Sequence, residues 1–131
     1  MTEWFETCAG LLQKTWDILG KGLVDAKHPA RRPTFATLSE DGWPEARTLV
    51  LRASDPATAT LALHTDITSN KIKSLTKTPR AALHIWDPDE ALQIRMQTDV
   101  RVEFGPKTRP LWDKTPGHAQ QSTGLHRRPV R

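Results

Sequence analysis

The sequence predicts a mainly β chain with flanking helices, folded as a small barrel or a strongly curved antiparallel sheet. Three observations carry this. Apolar residues recur at steps of three and four only near the N-terminus, between Phe5 and Leu23. After Pro33 the pattern changes to apolar/polar alternation in short β-rich segments. Those segments are separated by turn-forming clusters, Glu40-Asp41-Gly42, Ser54-Asp55-Pro56 and Asp87-Pro88-Asp89-Glu90. A chain of 131 residues is the size of one domain with one core.

The first element is a helix over 3–27. Phe5, Cys8, Leu12, Trp16, Leu19 and Leu23 form its apolar stripe, Thr2 is a candidate N-cap, and Cys8 reads as core filling. Gly20 and Gly22 weaken its second half, and the His28-Pro29 step with Pro33 ends it near Lys27. Residues 30–33 read as a basic connector. Thr34 to Ser39 and Ala46 to Arg52 make a hairpin around the Glu40-Asp41-Gly42 turn. A third strand runs from Thr60 to Thr65, and Ser69 caps a short helix that ends before Pro79. Arg80 to Trp86 is a fourth strand. From Leu92 to Phe104 the alternation is the most regular in the chain, with Leu92, Ile94, Met96, Val100, Val102 and Phe104 on one face and Gln93, Arg95, Gln97, Asp99, Arg101 and Glu103 on the other. This is one long strand, or two joined by a bulge. Residues 1–105 thus form the domain, and 106–131 a basic C-terminal tail that need not fold completely.

The formal net charge is +4. Six basic residues from Lys107 onward stand against Asp113 alone, a surplus of +5 that leaves −1 for the rest of the chain. A near-neutral body lacks the continuous basic face that binds a phosphate backbone, so nucleic acid is not an expected partner. No run of about 18 apolar residues spans a membrane, and no secretion signal is evident, so the expected location is cytoplasmic. One cysteine and five histidines without metal-ligand spacing exclude a disulfide framework and a zinc ribbon, and no metal is expected.

Three segments could carry chemistry. Arg47-Thr48-Leu49-Val50-Leu51-Arg52 places an arginine at each end of a strand; because strand side chains alternate, the odd separation sends the two to opposite faces, so a single site takes one. His64-Thr65-Asp66-Ile67-Thr68-Ser69-Asn70-Lys71 runs from a strand into a helix start, where unpaired N–H groups and a lysine can hold a phosphate, although an ordinary N-cap explains the same residues. Gln93 offers an amide donor and acceptor to the edge of a heterocycle. No serine sits in a nucleophile elbow, and His84 beside Trp86 reads as packing.

Taken in order, these segments, with Pro79-Arg80-Ala-Ala-Leu-His-Ile-Trp86 and Leu92-Gln-Ile-Arg95, resemble the pyridoxamine 5'-phosphate oxidase-related family of FMN-binding split barrels. The resemblance implies an FMN-binding split β-barrel, with FMN held noncovalently at the interface of a homodimer. It makes Arg47 and Lys71 ligands of the FMN phosphate, assisted by Ser69, and places the backbone of Leu49, Val50 and Leu51, with Arg52 at the strand end, along the flavin ring. His64 and Thr65 supply edge contacts, and Gln93 reaches the flavin or its ribityl chain. Asn70 stands where many relatives carry arginine, which removes one phosphate-binding charge, and His64 stands where tyrosine is frequent.

The implied function is FMN-dependent oxidation or reduction of an unidentified small molecule. The chain contains no tyrosine, and its tail lacks the substrate-binding set of the vitamin-oxidising members, which argues against that particular substrate. The alternative is a flavin-free split barrel that binds or scaffolds without catalysis.

Overall fold

A computed structural model describes residues 3–65 and 70–103. The predicted Thr2 cap, Ser69 cap, Phe104 and 106–131 tail lie outside these residues.

The N-terminal segment is a 3-10 turn at Trp4–Glu6 followed by helix α1, Cys8–Val24, and not one helix over 3–27. The break falls at Thr7, whose extended backbone lets its hydroxyl accept from the Gly10 N–H at 2.9 Å and cap the helix. At the other end Arg31 donates to the carbonyls of Gly22 and Leu23, satisfying acceptors the last turn leaves open. Arg31 closes a 3-10 turn, Pro29–Arg31, within the segment expected to be an irregular basic connector. Only the C-terminal half of the predicted stripe is packed: Leu19 is fully buried and Trp16 and Leu23 pack against the core, joined by the fully buried Ile18 that the stripe did not include, whereas Phe5 and Leu12 are 58% and 61% exposed. Cys8 is exposed and does not fill the core.

The strands are β1 (Thr34–Leu38), β2 (Pro44–Thr48), β3 (Val50–Asp55), β4 (Thr60–His64), β5 (Arg80–Asp87) and β6 (Leu92–Asp99), with helix α2 (Asn70–Lys77) between β4 and β5. All pairings are antiparallel, in a four-stranded sheet ordered β2-β1-β5-β6 and a two-stranded ribbon β3-β4. The sheets do not close on each other, and the architecture is a split barrel.

The expected single strand from Ala46 to Arg52 is two strands. Pairing with β1 ends at Thr34↔Thr48, the Leu49 N–H turns to the Pro33 carbonyl at 3.2 Å, and the chain crosses into the ribbon. The alternation continues through this corner, because Leu49 and Leu51 both point inward on either side of it, so sequence periodicity gave no sign of the break. Gly42, at φ +90°, makes the β1–β2 turn. The other two hairpins share one loop chemistry. In Asp55-Pro56-Ala57-Thr58-Ala59 and Asp87-Pro88-Asp89-Glu90-Ala91 the aspartate accepts from the backbone N–H two residues on, and the alanine adopts φ +51°.

The core has two clusters. Ile18, Leu19, Ala30, Leu51, Ile85 and Ile94 join α1 to the sheet, and Phe35, Leu75, Ala81 and Leu83 join α2 to it; Leu61, Leu63 and Met96 pack against both. Gly22 lets α1 and the 3-10 turn meet, since a methyl there would sit 2.6 Å from the Ala30 carbonyl carbon. β6 has the predicted dry and wet faces, although the strand ends at Asp99. No helix among the described residues is long and apolar enough to cross a membrane.

Candidate functional site

The corner between β2 and β3 organises the candidate site. Arg47, on β2, is half-buried in register with Phe35; its Nη1 donates to the Phe35 carbonyl at 3.1 Å and to Thr37 Oγ1 at 2.7 Å, with Glu45 3.8 Å from Nη2. These contacts fix the guanidinium on the inner side of the sheet edge. Lys71, in the first turn of α2, donates to Thr65 Oγ1 just beyond β4. The strand-to-helix passage thus carries a lysine and a hydroxyl together, the pairing expected of an anion-holding helix start. Ser69 lies outside the described residues, as does the side chain of Asn70.

Beyond the corner, Leu51 is fully buried and Leu49 packs beside Phe35 and Leu75. Their side chains therefore serve the core, and only their backbone can face a ligand. Val50 is half-buried and pairs with His64 across the ribbon.

Arg52 occupies a β-bulge, where the register shifts between Leu51 and Ala53. A bulge re-aims the side chain it carries, and Arg52 lies within electrostatic reach of Arg31 and Arg32 of the connector. The opposite-face argument for Arg47 and Arg52 assumed one regular strand, and the corner and bulge remove that premise. The Arg52 Nε is buried and meets no hydrogen-bond acceptor among the described residues. Burial, then the neighbouring Arg31 and Arg32 charges, push the Arg52 pKa below its ordinary value. The same environment acts on His64: burial, then the Arg52 charge, lower its pKa to about 4, so the ring is neutral near pH 7.

Gln93 lies apart from this group. It is exposed, in register with the exposed Trp86, whereas Arg47 is in register with the buried Phe35. The two therefore stand on opposite faces of one sheet. Gln93 Oε1 is 2.8 Å from His84 Nε2, a pairing that gives His84 a polar role the packing reading had not assigned. The sequence reading also missed Arg31 and Arg32. Their only signal was the basic composition of the connector, which says nothing about the folding that brings Arg52 alongside. Among the described residues no group of three or more His, Cys, Asp or Glu side chains could hold a metal.

The fold is a split barrel with an arginine at the β2–β3 corner and a lysine in the first turn of α2. Residues 12–103 match the family described as Pyridoxamine 5'-phosphate oxidase, FMN-binding domain. The chain belongs to this family, and FMN is its cofactor. Among solved structures it is similar to a pyridoxamine 5'-phosphate oxidase-related, FMN-binding protein from Nostoc punctiforme, with 24% identity and a TM-score of 0.71, over 86% of this chain and 62% of that one. No curated protein matches the sequence.

The residues present fit the group. Arg47 and Lys71 offer two cations and Thr65 a hydroxyl of the kind a phosphate ester requires, and the buried Arg52 Nε is a donor without an acceptor among the described residues.

Proposed function

We propose that the protein is an FMN-dependent oxidoreductase acting on a small molecule, as a homodimer with FMN at the subunit interface. The observation that carries this reading is the buried Arg52 Nε, without an acceptor among the described residues, beside a neutral His64 on the ribbon that continues from the Arg47 corner. A buried donor left unmade costs about 1–3 kcal/mol. A flavin edge or a bound anion would satisfy it.

In this reading Arg47 and Lys71 bind the FMN phosphate, with Ser69 and Asn70 beside Lys71 at the helix start. The backbone of Leu49, Val50 and Leu51 orients the ring. His64 and Thr65 contact its edge, and the neutral imidazole orients by hydrogen bonding without carrying charge. Bound FMN supplies hydride or electron transfer. No side chain of the group is placed as a general acid or base.

The position of Gln93 supports dimerisation: it lies on the sheet face opposite Arg47, so a flavin held on the Arg47 side would take the Gln93 contact that the family resemblance implies from a second copy. Cytoplasmic location and the absence of a nucleic-acid partner remain part of the proposal, the latter because the basic surplus lies in the tail. Full activity is proposed for a chain that spans 62% of its structural relative.

The test is FMN titration of the parent, Arg47→Ala and Lys71→Ala. Each substitution removes a charge-assisted hydrogen bond of about 1.5–3 kcal/mol and should weaken FMN roughly tenfold to a hundredfold. Unchanged affinity in both variants, with the fold intact by circular dichroism, removes these residues from the cofactor site.

A further inference from the structure

The outward face of the four-stranded sheet carries a hydrogen bond between side chains of neighbouring strands that adds little to the fold. Along β5 and β6, Trp86 is in register with Gln93 and His84 with Arg95, so His84 and Gln93 are diagonal neighbours on one face. Their side chains meet, with His84 Nε2 at 2.8 Å from Gln93 Oε1. The two strands are already joined by their backbone ladder and by the buried Leu83, Ile85 and Ile94 on the other face. A neutral hydrogen bond on an open face exchanges with water and contributes little to stability. Its effect falls on Gln93, whose amide otherwise turns about a broad terminal torsion.

The contact has a direction. An amide oxygen only accepts, so the hydrogen lies on His84 Nε2, and a neutral ring then keeps Nδ1 as an acceptor. The surroundings of His84 agree with this. It lines a cleft together with Lys27, Arg32 and Thr34, and the first two can only donate. His28, on the same cleft, has both nitrogens engaged: Nδ1 accepts from the Ala30 N–H, and Nε2 faces Asp87 Oδ2 at 3.5 Å. With donors on the cleft side, the acceptor of the His84 ring belongs there and its N–H belongs on Gln93. The group that Gln93 has left to present outward is its amide NH2, a pair of donors.

In the flavoprotein reading this face meets the second copy, and Gln93 contacts the flavin of that copy. The pyrimidine edge of an oxidised flavin bears two carbonyl oxygens and gains negative charge on reduction. A donor is attracted there, and an amide oxygen in its place is repelled. The sense of the Gln93 amide therefore matters to the cofactor, and the neighbour that sets it is His84.

We propose that His84 is a positioning residue of the flavin site: its Nε2–H holds the Gln93 amide by Oε1, so that the amide NH2 donates to the flavin of the second copy. The proposal rests on the flavoprotein reading and on the Gln93 contact within it.

A double-mutant cycle on the full chain tests it, through the FMN affinity of the parent, His84→Leu, Gln93→Ala and the double variant. His84→Leu should weaken FMN about threefold to tenfold in the parent and not at all where Gln93 is already alanine, since His84 acts through that amide. His84→Gln, which keeps a side-chain donor at similar reach, should recover most of the affinity. The reduction potential of bound FMN should fall on His84→Leu in the parent and be unchanged by it in Gln93→Ala. Nitrogen-15 NMR of the FMN-bound parent at pH 8, which needs no variant to fold, should show the His84 ring proton on Nε2. Equal weakening by His84→Leu on both backgrounds gives His84 a merely structural role and overturns the proposal, as does no weakening on either, or a ring proton on Nδ1. Each of these outcomes leaves FMN bound and the flavoprotein reading standing. A parent protein that takes up no FMN refutes that reading, and the positioning role falls with it.

Discussion

Acid should destabilise this fold through His64. The ring sits at the end of β4 opposite Val50, where burial and the Arg52 charge hold its pKa at about 4. In the unfolded chain it titrates near 6.5. Between those values the unfolded state binds a proton that the native state refuses, so stability rises with pH across the window. The contribution is complete above pH about 6.5, falls progressively towards pH 4 and is flat below. A gap from 6.5 to 4 is worth about 3.4 kcal/mol at 1.36 kcal/mol per unit, but the ring is only half-buried and solvent screens it, so about 1–2 kcal/mol is expected. Urea unfolding of the parent and His64→Gln at pH 7.5, 6.0, 5.0 and 4.5 isolates this component, because the carboxylates titrate alike in both proteins. The parent should lose about 1–2 kcal/mol more than the variant over that range. Parallel stability curves would refute the reasoning, as would an imidazole resonance of His64 that titrates near 6.5 in the folded protein.

Two further outcomes concern the backbone. Gly22→Ala should cost about 1–3 kcal/mol by forcing α1 away from the Ala30 carbonyl, read as a lowered midpoint in urea; an unchanged midpoint would show that the contact relaxes freely. Ala91→Gly should stabilise the β5–β6 hairpin by up to about 1 kcal/mol, since Ala91 holds φ +51°, and a lower thermal midpoint would contradict that strain.

The sequence made most elements legible because local chemistry fixes them. The turn clusters at Gly42, Asp55-Pro56 and Asp87-Pro88 fall between the observed strands, and alternation assigned the two faces of β6 residue by residue. What it could not reveal depends on long-range placement. The corner at Leu49 exists because that N–H finds the Pro33 carbonyl, and the inward leucines at 49 and 51 read the same in a straight strand or a bent one. The exposure of Leu12 and Cys8 depends on how much of α1 the sheet covers, which helical periodicity does not encode. At the site, residue types at Arg47, Lys71 and Gln93 were recognisable from their resemblance to a family, but the placement of Gln93 on the face opposite Arg47 required the strand register. The cluster of Arg31, Arg32 and Arg52 arises only from the bulge and the connector turn together.

The central claim is that this corner holds FMN. The most direct measurement is the absorbance spectrum of the purified protein, from about 300 to 550 nm, during titration with FMN. The account predicts saturable binding with flavin bands perturbed from those of free FMN, and a weaker isotherm for Arg47→Ala. A spectrum that remains the sum of protein and free FMN at every ratio would contradict it.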